Sequence, residues 1–315
     1  MRRESRGILR PPLAIVVVGV LTLVLAMTVA SCQSTPAAPA SASPAPQPSE
    51  STHSLHLDHV FVILEENKSY SQIVGSSAAP YINDLIKHYA LSSDYFALFH
   101  PSLPNYIALT SGSNDGITDD RGAVGNEVAV TNIADRIEAA GKTWKEYAES
   151  IPSPGYAQDS GEYAVRHDPF LYYKDIAGNV QRARSHVVPF TQLASDLVSA
   201  STTPDFAFIT PNLLNDMHDG PVSAGDKWLA REVPLILQSK AFTTTRSVLV
   251  VTWDEGTLFD NHIATIFAGS SVKAGYRSGT RYDHYALLHT IEAAWGLAPL
   301  TRNDADAPVM SEFFN

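Results

Sequence analysis

"LDHVFVILEENKSY", residues 57–70, decides the fold class. Every residue from Val60 to Leu64 is apolar, and the run stops abruptly at Glu65, Glu66 and Asn67. A short, continuous apolar run that ends this way predicts a buried strand leading into a polar loop. The pattern returns twice. "PDFAFITPN" (204–212) runs into "LLNDMHDG", and "RSVLVVTWDEG" (246–256), the most apolar strand in the chain, ends in Asp254 and Glu255. "HIATIFAG" (262–269) reads as a further strand.

Between these runs the apolar residues recur at helical spacing. "APYINDLIKHYA" (79–90), "TNIADRIEAAGK" (131–142), "DKWLAREVPLILQ" (226–238) and "YDHYALLHTIEAAWG" (282–296) are predicted helices, the third with a kink at Pro234. Near-continuous apolar strands alternating with helices predict an α/β fold, a three-layer sandwich around a central, mostly parallel sheet. Ligands of such sheets sit outside the carboxyl ends of the strands, where the polar clusters of this chain fall.

The N-terminal region has a different character. Arg2, Arg3, Arg6 and Arg10 precede the apolar run "LAIVVVGVLTLVLAMTVA" (13–30), which reaches "VASC" at 29–32. That order predicts an export signal over residues 1–31, with an uncleaved signal anchor as the alternative because the run is long enough to span a bilayer. Val-Ala-Ser-Cys resembles the lipobox of bacterial lipoproteins, which implies lipid attachment at Cys32 and anchorage to the bacterial cell membrane. Either way the folded part works outside the cytoplasm. Residues 32–54 are rich in Pro, Ala and Ser and predict a disordered tether, leaving 55–315 as one folded domain.

Cys32 is the only cysteine, which excludes an intramolecular disulfide and a cysteine-based zinc site. The net charge is -11, and the N-terminal arginines belong to the part expected to be removed. So acidic a body repels nucleic acid and, at long range, anionic lipid. An anionic substrate therefore needs a local cation.

Three clusters follow predicted strands: Glu65, Glu66 and Asn67; Asp216, His218 and Asp219; and Asp254 with Glu255. Taken singly, each reads as a solvated strand end. Together at one sheet edge they predict a divalent cation, since carboxylates suit a hard ion and added imidazoles also admit zinc, iron or manganese.

"FHPSLPNYIALTSG" (99–112) places Ser102 at the mouth of a helix. A serine there is either an N-cap or a nucleophile facing an anion held by free amides. The local sequence favours the cap. Among the histidines, His218 and His284 lie beside acids near element ends and are the stronger candidates. His100 reads either as a carboxylate partner or as a phosphate contact, and His262 either faces the site or caps the sheet. His289 is expected in the core. His167, in "YAVRHDPFLYY", is expected in a lid or pocket wall.

Six blocks, "HVFVILEENKSY", "HPSLPNYIALTSG", "YAVRHDPFLYY", "PNLLNDMHDG", "VVTWDEG" and "YDHYALLHTIEAAWGL", stand in an order that resembles the bacterial phosphoesterase family of acid phosphatases and phospholipase C enzymes, related in fold to alkaline phosphatase. The resemblance implies a divalent metal, one or two ions, held by Glu66, Asn67, Ser102, Asp254 and Glu255, with Ser102 as nucleophile and His218 and His284 as catalytic histidines. Asp216, His100 and His262 are expected at a second metal or at the phosphate. Sulfatases carry an arginine after a similar motif, whereas Ser102-Leu103-Pro104 is followed here by Asn105 and Tyr106. The expected function is an extracytoplasmic, metal-dependent phosphomonoesterase acting on a phosphate ester. The alternatives are a phospholipase C or other phosphodiesterase and, outside the enzymes, a tethered solute- or metal-binding lipoprotein.

Overall fold

The computed structural model describes residues 55–315; the export signal, Cys32 and tether expected over 1–54 lie outside the described residues. The described residues contain one sheet of eight strands: β1 (His59–Glu65), β2 (Ala90–Phe96), β3 (Trp144–Ala148), β4 (Val187–Pro189), β5 (Phe206–Thr210), β6 (Ser247–Trp253), β7 (His262–Ala268) and β8 (Arg277–Asp283). Their order is β4-β3-β5-β1-β6-β7-β2-β8. β1 pairs in parallel with β5 and β6. Only β7 runs against its neighbours, antiparallel to both β6 and β2. The carboxyl ends of β1, β5 and β6 therefore share one edge with the start of β7.

Every residue of β1 and β6 is buried. Successive strand side chains point to opposite faces, so both faces of the sheet centre are covered. The helix Ser102–Ser111 packs on His284–Trp295, and Pro80–His88 packs on Val222–Leu237. Trp228 is fully buried, whereas His289, expected in the core, is only partly buried, with Nδ1 2.6 Å from the Ala307 carbonyl.

The structure adds β2, β3, β4 and β8, which periodicity does not reveal. "ALSSDYF" and "RSGTRYD" are polar, and β8 is an edge strand with an exposed outer row. The helix expected over 79–90 ends at His88, because Tyr89 is extended and feeds directly into β2. Pro234 sits inside Val222–Leu237 rather than ending it. Among the described residues no helix is long and apolar enough to cross a membrane.

Candidate active site

Three loops leave the shared edge, and backbone hydrogen bonds lock them together. Glu66 N–H donates to the Asp216 carbonyl at 2.8 Å, and Asp254 N–H donates to the Glu65 carbonyl at 2.9 Å. Lys68 Nζ donates to the Met217 carbonyl at 2.7 Å. Asn67 and Met217 hold positive φ angles of 47° and 77°. A bulky residue such as Met in this region is a strained exception, of the kind that concentrates at functional sites. The glycines closing the two acidic motifs are required by space. A Cβ on Gly220 would lie 2.0 Å from the Leu214 carbonyl oxygen, and one on Gly256 would lie 1.8 Å from that of Asp260.

Ser102 is the first residue of its helix, and the N-cap position belongs to Pro101. The capping alternative therefore does not hold for Ser102: the free Leu103 N–H is taken by Asp120 Oδ1 at 2.9 Å. The hydroxyl is turned instead toward the β1 loop. Ser102 Oγ donates to Glu66 Oε2 at 3.0 Å and lies 3.4 Å from Asn67 Oδ1. One helical turn on, Tyr106 donates its hydroxyl to the other oxygen of Glu66. Asn105, on the same buried helix, accepts from the amides of Leu98 and Phe99 at 3.0 and 2.9 Å, fixing the approach to Ser102.

Carboxylates crowd this point. Burial, followed by the neighbouring Asp254 and Asp216, holds the Glu66 carboxyl well above the ordinary range. Burial likewise pushes Asp254 and Asp216 up to about 7 and Glu255 up to about 9. One end of the Asn67 side-chain amide lies 3.1 Å from Glu66 Oε2, 3.2 Å from Asp254 Oδ1 and 3.3 Å from Glu255 Oε1. As nitrogen, that atom donates to all three acids. As oxygen, it joins them in a set of hard donors that only a cation or protons can reconcile.

The histidines divide between the site and its frame. His100 Nδ1 lies 2.6 Å from Glu255 Oε2, the carboxylate-partner alternative. His218 sits at the open rim, its Nδ1 2.7 Å from Asp219 Oδ1 and its Nε2 3.3 Å from an Arg166 guanidinium nitrogen. Because Arg only donates, Nε2 accepts and the proton rests on Nδ1.

Two expectations change. His284 is fully buried, with Nε2 2.6 Å from the Asp254 carbonyl and Nδ1 3.1 Å from the Tyr95 hydroxyl. Both ring nitrogens are engaged by protein partners, one of them the backbone of Asp254, and burial lowers its pKa. His262 caps the sheet, with Nε2 2.8 Å from the Ser93 carbonyl and its ring stacked between Tyr70 and Phe96.

His167 enters the site more deeply than a lid residue. It is buried, stacks on Tyr106 with an interplanar angle of 3°, and lies 3.3 Å from Glu66 Oε1 and 3.2 Å from Asp216 Oδ2. Neither of those His167 and Asp216 contacts has hydrogen-bond geometry for His167 Nε2 or Asp216 Oδ2, which leaves two buried polar atoms unsatisfied there. Sequence reasoning passed over Arg166, Tyr106 and Lys68. Tyr106 was within reach of it, since a residue four positions after Ser102 occupies the same helix face.

The phosphoesterase family model matches residues 76–298. A phosphatidylinositol-3-phosphatase of Mycobacterium tuberculosis is 35% identical over 258 residues, covering 81% of this chain and 82% of that protein. An acid phosphatase of Aspergillus fumigatus is 30% identical over 234 residues, covering 70% of this chain and 51% of its own length, so the chain spans about half of that relative. A protein of the alkaline phosphatase superfamily from Vibrio parahaemolyticus shares the fold, with a TM-score of 0.57 at 12% identity over 82% of this chain and 71% of that one. Strand-end acids, a helix-mouth serine and these likenesses agree: the chain belongs to the phosphoesterase family, with an alkaline phosphatase-like fold, and is a hydrolase of phosphate ester bonds.

Proposed function

We propose that the chain is an extracytoplasmic, metal-dependent phosphomonoesterase whose nucleophile is Ser102. The observation that carries this reading is the Ser102 hydroxyl at a helix N-terminus, hydrogen-bonded into the convergence of Glu66, Asn67, Asp254 and Glu255. The donor set fits a hard divalent cation in kind. Among the described residues no three His, Cys, Asp or Glu side chains form a cation cage by themselves, so the neutral oxygens of Asn67 and Ser102 complete the proposed ligand set with Glu66, Asp254 and Glu255. When bound, such an ion neutralises phosphoryl charge and lowers the pKa of a hydroxyl.

The chain's own groups supply the rest. Ser102 Oγ attacks phosphorus and gives its proton to Glu66, 3.0 Å away; the bond to the ester oxygen breaks as the bond to Oγ forms. His218, at the open rim beside Arg166, is the group placed to pass a proton to the departing oxygen. Water then hydrolyses the phosphoserine: its proton passes to His218 as the bond from phosphorus to Oγ breaks, and Oγ takes its proton back from Glu66. The Asp216 carbonyl holds the Glu66 backbone, and the His167 ring lies beside the Glu66 carboxyl. His284 holds the Asp254 backbone in register.

A lipid-borne phosphate monoester is the second reading of substrate, favoured by the relative named a phosphatidylinositol-3-phosphatase. Membrane attachment through Cys32 is proposed from residues 13–32 and is supported if fatty-acid labelling disappears in Cys32→Ala. The decisive experiment measures phosphate release from a chromogenic monoester, a diester and a phospholipid, with and without chelator. Ser102→Ala is expected to lose about a thousandfold in turnover while keeping its melting temperature. Turnover at the wild-type level would remove Ser102 from the mechanism, and preference for the diester would favour a phosphodiesterase.

A further inference from the structure

The loop between β6 and β7 leaves the site at Asp254 and Glu255 and returns at His262. Its tip is apolar and faces solvent: Leu258 is 70% exposed and Phe259 94%. Exposed apolar pairs of this kind need a reason when the adjoining backbone is well braced. This one is braced. Asp260 N–H donates to the Thr257 carbonyl at 2.8 Å, and Ser69 Oγ accepts from Thr257 N–H at 3.1 Å and donates to the Asp260 carbonyl at 3.0 Å. Ser69 is two residues from Asn67, so the tip is clamped to the rim of the catalytic cluster.

Beside the clamp stands a column of planar groups. Tyr70 stacks on His262 at 4.4 Å, His262 stacks on Phe96 at 4.9 Å, and the guanidinium of Arg281 lies 3.7 Å from the Phe96 ring centre. Arg281 and Arg277 are exposed on the edge strand β8. On a chain of net charge -11, Arg281 at the end of this column is a local cation, whereas Arg277 pairs with Leu91 at the far end of β8. Apolar side chains with an arginine close by, on the loop that carries Asp254 and Glu255, have the chemistry of a bilayer interface: the apolar tip enters the acyl boundary while the cation meets anionic head groups.

We propose that Leu258, Phe259 and Arg281 form a docking surface for an anionic lipid bilayer, which delivers a head-group phosphate monoester to Ser102. The proposal rests on the phosphomonoesterase reading and extends it to lipid substrates presented in a surface.

The test uses the full-length chain and three probes: a chromogenic soluble monoester, a short-chain phosphatidic acid kept monomeric, and long-chain phosphatidic acid in phosphatidylcholine vesicles. The double variant Leu258→Ser/Phe259→Ser is expected to lose about tenfold on vesicles, the scale of two buried apolar side chains shared with residual contacts, and to match the wild type on both monomeric esters. Equal vesicle rates overturn the proposal. A parallel loss on the short-chain lipid also overturns it, because the tip would then be touching the substrate's own chain. Phe259→Trp provides a readout independent of turnover. Its added fluorescence is expected to be quenched by brominated lipids in anionic vesicles and less so after Arg281→Glu, and an unquenched signal overturns docking even if the chain hydrolyses every ester. Quenching without hydrolysis of any ester would instead defeat the phosphomonoesterase reading and leave the docking surface standing.

Discussion

Two groups of buried acids lie in this sheet, and they are handled differently. At the ends of β1, β5 and β6, Glu66, Asp216, Asp254 and Glu255 converge with few donors to satisfy them, on loops strained at Asn67 and Met217. Deeper, Glu146 of β3 faces Asp168, and this pair is enclosed. Asp168 accepts from the Tyr163 hydroxyl at 2.6 Å and the Thr210 hydroxyl at 3.1 Å, and burial pushes it up to about 7. Burial and then Asp168 hold Glu146 well above its ordinary range. Two carboxyls in a closed box cannot both ionise, so they keep a proton between them. The first group opens to the rim at His218, where the proposed cation would take the place of its protons. The second has no such outlet. Raised acids alone therefore do not mark a site, nor does the lack of donors, since both Glu146 oxygens lack one; strained loops beside a hydroxyl nucleophile set the first group apart.

The sharpest way to break this contrast is to neutralise one acid in each group. Asp254→Asn removes a proposed cation ligand and is expected to lower turnover at least about a hundredfold, whereas Glu146→Gln is expected to stay within about twofold. Phosphate release at saturating and limiting substrate measures both. Comparable losses would mean that the two groups work as one unit.

A second experiment follows the protons. For a cation to bind, Asp254 near 7 and Glu255 near 9 must give up their protons. Apparent affinity should accordingly rise with pH between about 6 and 9, by up to about tenfold per unit for each proton displaced. Calorimetric titration with manganese across that range checks the slope. A flat profile would place the ion outside this cluster.

How much of this arrangement could be seen in the sequence depends on locality. β1, β5, β6 and β7 were legible because each is a run of apolar residues, and their polar exits gave the acids of the site directly. Ser102 was legible by its place between prolines at a helix mouth, though its hydroxyl partners, Glu66 and Asn67, lie 36 and 35 residues away. The polar strands β2 and β8 were not legible: β8 is an edge strand with an exposed row, and β2, between it and β7, is interrupted by Ser92, Ser93 and Asp94. Without β2 the fate of two histidines is hidden: Tyr95 and the Ser93 carbonyl occupy His284 and His262. His167 escaped for the same reason. Its depth comes from Tyr106, Glu66 and Asp216, none of them near it in sequence.

The smallest expected effect lies in the enclosed pair and concerns stability. The shared proton raises the folded pKa above the unfolded values near 4, so the pair's contribution is fully present below about pH 4 and is lost as pH rises toward and through about 7. Glu146→Gln supplies a permanently neutral partner whose amide can donate to Asp168, which should flatten that loss and raise stability at pH 8 by about 1 kcal/mol, the scale of one hydrogen bond in place of a forced ionisation. Urea unfolding at pH 4 and pH 8 reads the difference directly. The variant should gain on the wild type only at the higher pH. A gain of the same size at both would show that Glu146 is costly through its packing rather than its charge, and the enclosed pair would then hold no proton for the strand-end acids to be contrasted with.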